Sequence, residues 1–121
     1  MPAPDREYDR VMAYDERLAE RIRALVADEP NVTEKKMFGG LAFLVDGNMA
    51  IAASGQGGAL VRVDPEQSDA LTADGTASVA VMRGRPMAGW LRVESDRLET
   101  EQALRAWVER GVGYARSLPA K

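Results

Sequence analysis

The hydrophobic positions near the start of the chain repeat with a helical period. Tyr14, Leu18 and Ile22 follow one another at intervals of four residues, and Leu25 comes three residues later. This spacing places them on one stripe of an amphipathic helix, which we predict over residues 14–28. The charged positions between them form the side that faces solvent.

A second helical pattern lies at the end of the chain. It begins after Thr100, whose hydroxyl is suited to cap a helix N-terminus, and it ends at Pro119. Its apolar positions share one face: Leu104, Trp107, Val108, Gly111, Val112, Ala115 and Leu118. A shorter helix is predicted between the two, with Asp64 as its cap, Pro65 at the first helical position and its end near Ala73.

Between the helices the hydrophobic period shortens to two, which indicates β-strands. Five strands are predicted, over residues 35–45, 48–53, 59–63, 76–82 and 87–93. Asp46-Gly47 is a two-residue turn signal, so the strands that flank it run antiparallel. The predicted fold is a two-layer α+β domain with element order α-β-β-β-α-β-β-α and a largely antiparallel five-stranded sheet.

The composition excludes most catalytic chemistry. The chain of 121 residues contains no His and no Cys, so an imidazole base, a thiolate nucleophile and the usual zinc ligands are missing. Asp64, Glu66 and Asp69 form the tightest acidic cluster, but these positions are better explained as cap and first-turn charges of the short helix. We therefore predict a non-enzyme with no catalytic residues, no cofactor and no metal site.

The first residues do not have the pattern of a secretion signal. Residues 1–11 combine two prolines with several charges and contain no apolar segment, and no stretch of the sequence reaches the length of a membrane span. We predict a flexible extension over residues 1–11, a single domain over residues 12–121, a cytoplasmic location and no membrane partner. The net charge of −3 and the absence of a basic recognition helix argue against direct sequence-specific binding of nucleic acid.

Two glycine-rich segments are candidate ligand sites. Gly39-Gly40 lies within a predicted apolar strand, where a β-bulge or a tight sheet contact is favoured over close approach of a ligand. Residues 55–58 lead into a strand rather than into a helix N-terminus, so they do not meet the requirement for a phosphate-binding loop. A pocket at the glycine-rich turns, lined by Arg83 or Arg85, remains as an alternative and predicts a small-ligand or anion-binding protein.

A cationic and aromatic sheet face is the main candidate for binding. Arg62 alternates with two valines, and Trp90 and Arg92 alternate with Leu91, so these three polar or aromatic side chains share a face if their strands are aligned. The basic residues that could rim this face are Lys35, Lys36, Arg83 and Arg85. Such a surface suits a protein, a nucleic acid or an anion; the alternative is a solvated face with ordinary ion pairs. On the first interpretation Arg92→Ala leaves stability nearly unchanged and weakens binding.

Separated blocks of the sequence resemble the TfoX/Sxy N-terminal domain family. The first block is Lys35-Lys36-Met37-Phe38-Gly39-Gly40-Leu41-Ala42-Phe43, and its motif residues are Met37, Phe38, Gly39 and Gly40. The second is Arg85-Pro86-Met87-Ala88-Gly89-Trp90, and its motif residues are Arg85, Pro86, Met87, Gly89 and Trp90. The helices at the two ends are also similar to those of the family.

This resemblance implies a fold related to secretion-chaperone-like α+β domains and a bacterial protein. Named members of the family regulate natural competence as co-activators beside the cyclic-AMP receptor protein, and they carry a further C-terminal helical domain. The present residues correspond to the N-terminal domain alone, so we expect a stand-alone domain. The resemblance favours a non-enzymatic, regulatory protein-interaction module whose partner is another protein or a second copy of the chain.

Overall fold

The computed structural model describes residues 14–37 and 39–121 of the chain. Within these residues there are three α-helices: α1 (Glu16–Leu25), α2 (Ser68–Thr72) and α3 (Glu101–Ser117). The strands of a single sheet are β1 (Val32–Met37), β2 (Gly40–Val45), β3 (Asn48–Ala53), β4 (Ala59–Arg62), β5 (Ser78–Met82) and β6 (Arg85–Val93). Short 3₁₀ turns occupy Pro65–Gln67 and Ser95–Arg97. The predicted α+β class and element order are confirmed; the extension predicted over residues 1–11 lies outside the described residues.

The caps predicted for two helical segments are present. The Thr100 hydroxyl accepts a hydrogen bond from the Ala103 N–H at 3.1 Å and opens α3. The Asp64 carboxylate accepts a hydrogen bond from the Glu66 N–H at 2.9 Å and opens the 3₁₀ turn before α2. Each cap satisfies a backbone donor that has no partner inside the helix, which fixes where the element begins.

The sheet has six strands rather than the five predicted, because one predicted strand is two. The segment predicted as a single strand over residues 35–45 is divided between β1 and β2. Gly39 lies in the turn between them with a φ of +76°, a left-handed conformation that glycine adopts without strain. The four central side chains of β1 are all exposed, so β1 has no hydrophobic alternation by which its sequence could reveal it.

The strand order is β1-β2-β3-β4-β6-β5, and every neighbouring pair is antiparallel. The first four strands form a meander. After α2 the chain passes to the far edge as β5 and returns as β6, which lies beside β4. As a result β1 and β5 are the two edges of the sheet.

The core lies between one face of the sheet and the helices α1 and α3. One buried cross-strand row runs through four strands: Phe43, Ile51, Val61 and Leu91. Ile22 of α1 and Leu104 and Trp107 of α3 pack in the same core. Gly111 lets α3 approach β3 closely, since a side-chain carbon at this position would collide with the carbonyl oxygen of Ala50.

The opposite face of the sheet has a different character. The row next to the core row consists of Ala42, Ala52, Leu60 and Arg92. Because successive side chains of a strand alternate, this row points away from α1 and α3. The same face carries half-buried large side chains, among them Met37, Leu44, Met49 and Trp90. This face supplies the strand residues of the candidate surface, and Arg62, at the end of β4, also reaches Tyr114 of α3.

Candidate interaction surface

An arginine at the end of β4 is held between two aromatic rings. Arg62 pairs with Trp90 across β4 and β6, and its guanidinium carbon lies 5.0 Å from the centre of the Trp90 ring. The same carbon lies 5.6 Å from the centre of the Tyr114 ring, which comes from α3. All three side chains are half-buried. We call these residues the Arg62 cluster; the attraction between a cation and the ring faces stabilises it.

A bend in β6 places Trp90 beside Arg62. Gly89 has a φ of +87°, and its N–H donates a hydrogen bond to the Ser68 hydroxyl at 2.8 Å. Its carbonyl oxygen accepts a hydrogen bond from the Val63 N–H at 2.8 Å. A side-chain carbon at Gly89 would lie 3.0 Å from the Val63 carbonyl oxygen and from Pro65, so both the backbone angle and the space require glycine.

Arg62 differs from the arginines that form ion pairs. Ion pairs between described residues join Arg23 to Glu34 (2.6 Å), Arg92 to Glu94 (3.7 Å), Arg105 to Glu101 (3.0 Å) and Arg116 to Glu29 (2.8 Å). No carboxylate in residues 14–37 or 39–121 makes such a pair with Arg62, which contacts ring faces instead. Ring faces leave the N–H donors at the guanidinium edge available to an anionic group of a partner.

Arg92 lies two cross-strand pairs away from Arg62, but it is bound within the protein. Its guanidinium donates hydrogen bonds to the Ser54 hydroxyl at 3.2 Å, to the Gln56 side-chain oxygen at 3.3 Å and to the Gly57 carbonyl at 3.1 Å. These acceptors all belong to the glycine-rich loop between β3 and β4. Arg92 therefore fastens this loop to β6 with three of its hydrogen-bond donors.

The other basic residues of the predicted face do not surround the Arg62 cluster. Lys35 and Lys36 lie on the edge strand β1, and as neighbours in a strand they point to opposite faces. Arg83 lies in the turn between β5 and β6, and Arg85 begins β6. The two edges are five strand spacings apart, roughly 24 Å. The structure therefore brings together Arg62 and Trp90 but separates them from a lysine pair on one edge and an arginine pair near the other.

The glycine-rich loop borders an open cavity of about 610 Å³. The described residues that line it are Tyr14, Asp15, Glu16, Gly55, Gln56, Gly57 and Ser95. Its charged groups are the carboxylates of Asp15 and Glu16, and Arg83 and Arg85 are not among the lining residues. This arrangement does not provide the arginine-lined anion pocket that the sequence offered as an alternative.

Two of the described family-motif residues outside the Arg62 cluster, Gly40 and Met37, lie at contacts within the sheet. Gly40 packs so closely against the Ala53 carbonyl that a side chain would collide with it, which is the tight sheet contact favoured from the sequence. Met37 borders a cavity of about 40 Å³ on the face opposite the core. Phe38 lies outside the described residues. Within the described part of the chain, three or more carboxylates do not gather in any group suited to a metal ion.

Tyr114 is the residue of the cluster that sequence reasoning missed as part of a binding face. It lies 52 positions after Arg62 in the chain, on a helix whose pattern predicts only that its apolar stripe is buried. No local spacing links a strand end to a helix so distant in sequence. The contact follows from the way α3 packs across β3 and β4.

Comparison with known proteins gives one family match. A family model described as the TfoX N-terminal domain matches residues 24–115, which is 92 of the 121 residues. The match includes Arg62 and Trp90 and also Tyr114. The search of curated proteins returned no match. The longest helix in the described part of the chain is α3 with 17 residues, and none there has the length and apolar character that a membrane span requires.

Proposed function

The chain belongs to the TfoX N-terminal domain family, and on that premise we propose that it is a non-enzymatic regulatory module that binds another protein in the bacterial cytoplasm. The observation that carries this proposal is the Arg62 cluster. Arg62 is half-buried between a tryptophan and a tyrosine, and these three residue types are enriched among the strongest contacts of protein-binding surfaces. A module of this kind regulates its partner by binding it at this surface.

The chemistry of the cluster favours an acidic group on the partner. The guanidinium of Arg62 presents a planar row of donors that matches the two oxygens of a carboxylate. The rings of Trp90 and Tyr114 restrict its rotation, so less conformational entropy is lost when a partner binds. We therefore propose that a partner segment places an Asp, a Glu or a terminal carboxylate on Arg62 and an apolar side chain beside Trp90.

A protein partner is favoured over a nucleic acid. Binding to a phosphate backbone requires several basic side chains along one surface, and the chain has 16 basic against 19 acidic residues. The lysines of β1 lie on the edge of the sheet opposite the arginines of the β5–β6 turn, so these charges do not form a continuous stripe with Arg62.

The test compares wild type with Arg62→Ala as bait in native bacterial lysate, followed by calorimetric titration with the partner that is identified. Loss of a central arginine costs about 2 kcal/mol or more in such surfaces, which corresponds to roughly 30-fold weaker binding. Arg85→Ala is the matched control, because Arg85 is an exposed arginine of the same strand as Trp90 and lies outside the cluster. We expect it to bind as wild type does.

Equal binding by wild type and Arg62→Ala would contradict the proposal, as would a bait that retains no protein above background. A greater loss of binding affinity with Arg85→Ala than with Arg62→Ala would indicate that the binding site lies at the β5–β6 turn instead. Thermal unfolding of each variant beforehand separates lost binding from lost structure.

A further inference from the structure

The face of the sheet that points away from α1 and α3 carries no strand carboxylate. Glu34 is the one acidic residue in the six described strands, and it turns towards α1, where it binds Arg23 at 2.6 Å. The charged residues that cross-strand pairing places on the other face are all basic: Lys35, Arg62 and Arg92. The whole chain has a net charge of −3, so this face has the opposite sign to the rest of the protein.

The centre of this face is a shallow apolar trough. One cross-strand row runs from β1 to β6 through Lys35, Ala42, Ala52, Leu60 and Arg92. The two alanines in its middle have short side chains, whereas the half-buried side chains of Met37, Met49 and Leu60 around them are longer. A cavity of about 40 Å³ lies among these residues. The apolar side chains of a partner can fill this trough.

We propose that the segment bound on this face is an acidic amphipathic α-helix of the partner; this inference rests on the proposed function and names the form of the partner. A strand pairs with a sheet at its edge, whereas the face of a sheet is covered by the apolar stripe of a helix. Among the described residues α1 and α3 pack on the opposite face, so the partner's helix adds a third layer. Acidic side chains beside its apolar stripe complement the basic face.

The positions of Lys35 and Arg62 set the spacing of the acidic residues. Three strand spacings separate β1 from β4, about 14 Å, and Arg62 lies two residues along β4 from the row of Lys35, about 7 Å further. The two residues are therefore roughly 16 Å apart, a length that a helix covers in about eleven residues, or three turns. Residues eleven positions apart lie on the same side of a helix, so an acidic residue at each end and the apolar residues between them all face the sheet.

Lys35 and Lys36 form a matched pair for the test. Both are exposed and adjacent in β1, and they point to opposite faces of the sheet. Lys35 makes no ion pair with a residue in the ranges 14–37 and 39–121, so its ammonium group is available to a carboxylate. Lys35→Glu and Lys36→Glu change the net charge equally, but the first alone reverses the charge beside the trough.

The first experiment titrates the isotopically labelled full chain with a synthetic peptide and follows its NMR chemical shifts. The probe is an alanine-based helical peptide with two glutamates about eleven positions apart and leucines between them on the same side. We expect the amide signals of Ala42, Ala52 and Leu60 to shift while those of α3 stay in place. The same peptide with lysines instead of glutamates should leave the spectrum unchanged.

The second experiment repeats the titration with the two lysine variants, after thermal unfolding has shown that both are folded. Lys35→Glu should bind the glutamate peptide about fivefold more weakly at low salt, which is the scale of an exposed ion pair, and Lys36→Glu should bind as wild type does. The difference should shrink as the salt concentration rises.

Three results would overturn the inference: no shifts at millimolar peptide, shifts confined to the side of α1 and α3, or equal weakening by both lysine variants. Shifts on this face that depend on protein concentration without peptide would identify a second copy of the chain as the occupant instead. A natural partner that is lost with Arg62→Ala but unaffected by Lys35→Glu would uphold the proposed function and refute the helix. The two proposals can therefore fail separately.

Discussion

A single missing side chain sets how closely α3 can approach the sheet. A methyl group at Gly111 would collide with the Ala50 carbonyl oxygen, whereas Gly113 on the same helix has no atom within 4 Å of that position. Overpacking of this kind costs about 1–3 kcal/mol. We expect Gly111→Ala to lower the melting temperature.

Gly113→Ala is the matched control, and its effect should have the opposite sign. Alanine in an exposed helix position is more favourable than glycine by about 0.5–1 kcal/mol. Thermal unfolding of the two variants side by side checks both expectations. If Gly111→Ala were as stable as Gly113→Ala, the close packing of α3 on β3 would be refuted.

The hydrogen bonds of Arg92 make it a structural residue. The side chain is about one-fifth exposed, and it satisfies three acceptors of the glycine-rich loop. We expect Arg92→Ala to lower the free energy of unfolding by about 1–3 kcal/mol, in contrast to the unchanged stability expected from the sequence. Denaturant unfolding provides the measurement. Arg105→Ala, which removes an exposed pair within one helix, should cost below about 0.5 kcal/mol.

At this scale the sequence predicts which way a strand residue points but not what it contacts. Alternation with Val61 and Leu91 correctly predicts that Arg62 and Trp90 share a face. The loop acceptors that bind Arg92 lie 35 to 38 positions earlier in the chain, and Tyr114 lies on a separate helix. Such contacts depend on how the elements pack, and the hydrophobic alternation within one strand does not predict them.

Among the elements, α1 is joined to the edge strand β1 by one ion pair. Arg23 donates two hydrogen bonds to the Glu34 carboxylate, at 2.6 and 2.8 Å, and these bonds lower the pKa of Glu34 from its ordinary value of 4.5. Because the pKa is lower in the folded state, the pair stabilises the fold above pH 4.5. The contribution is lost as the pH falls through the folded pKa.

We therefore expect Glu34→Gln to lower the melting temperature at neutral pH and to match wild type in acid. Both side chains are more than one-third exposed, so the effect is limited to about 0.2–1 kcal/mol. Melting curves from neutral pH to below the folded pKa give the measurement, with Glu101→Gln as a control for the loss of surface charge. A difference that persists unchanged in acid would assign the effect to packing instead.

The elements differ in how well their sequences reveal them. The long helix α3 is predictable because its apolar stripe and its Thr100 cap agree. β1 is not predictable in this way, because an exposed edge strand buries neither face and so has no alternation of hydrophobic and polar residues. The predicted end of α1 at residue 28 is also too late, because the helix gives way to a turn after Leu25.

For the whole molecule, the fold class follows from the sequence but the strand order does not. A meander is the simplest connection of hairpins, and β1 to β4 follow it. Placement of β6 rather than β5 beside β4 depends on Leu91 and Val93, which are fully buried, whereas β5 contains the exposed Val81. The strand with the fully buried side chains takes the interior position, which leaves β5 at the edge.

The same strand order determines the sequence in which the strands can pair during folding. β5 and β6 can pair locally through the turn at Arg83-Gly84. Because β5 is joined to the sheet only through β6, it cannot be added before β6 pairs with β4. That meeting closes the long loop from Arg62 to Trp90, while the pairings of β1 to β4 close short turns. Loop closure costs more entropy as the loop lengthens, and distant pairings slow folding. We therefore expect docking of the β5–β6 hairpin to be the slow step of folding, which makes β5 and β6 the last strands to join the sheet.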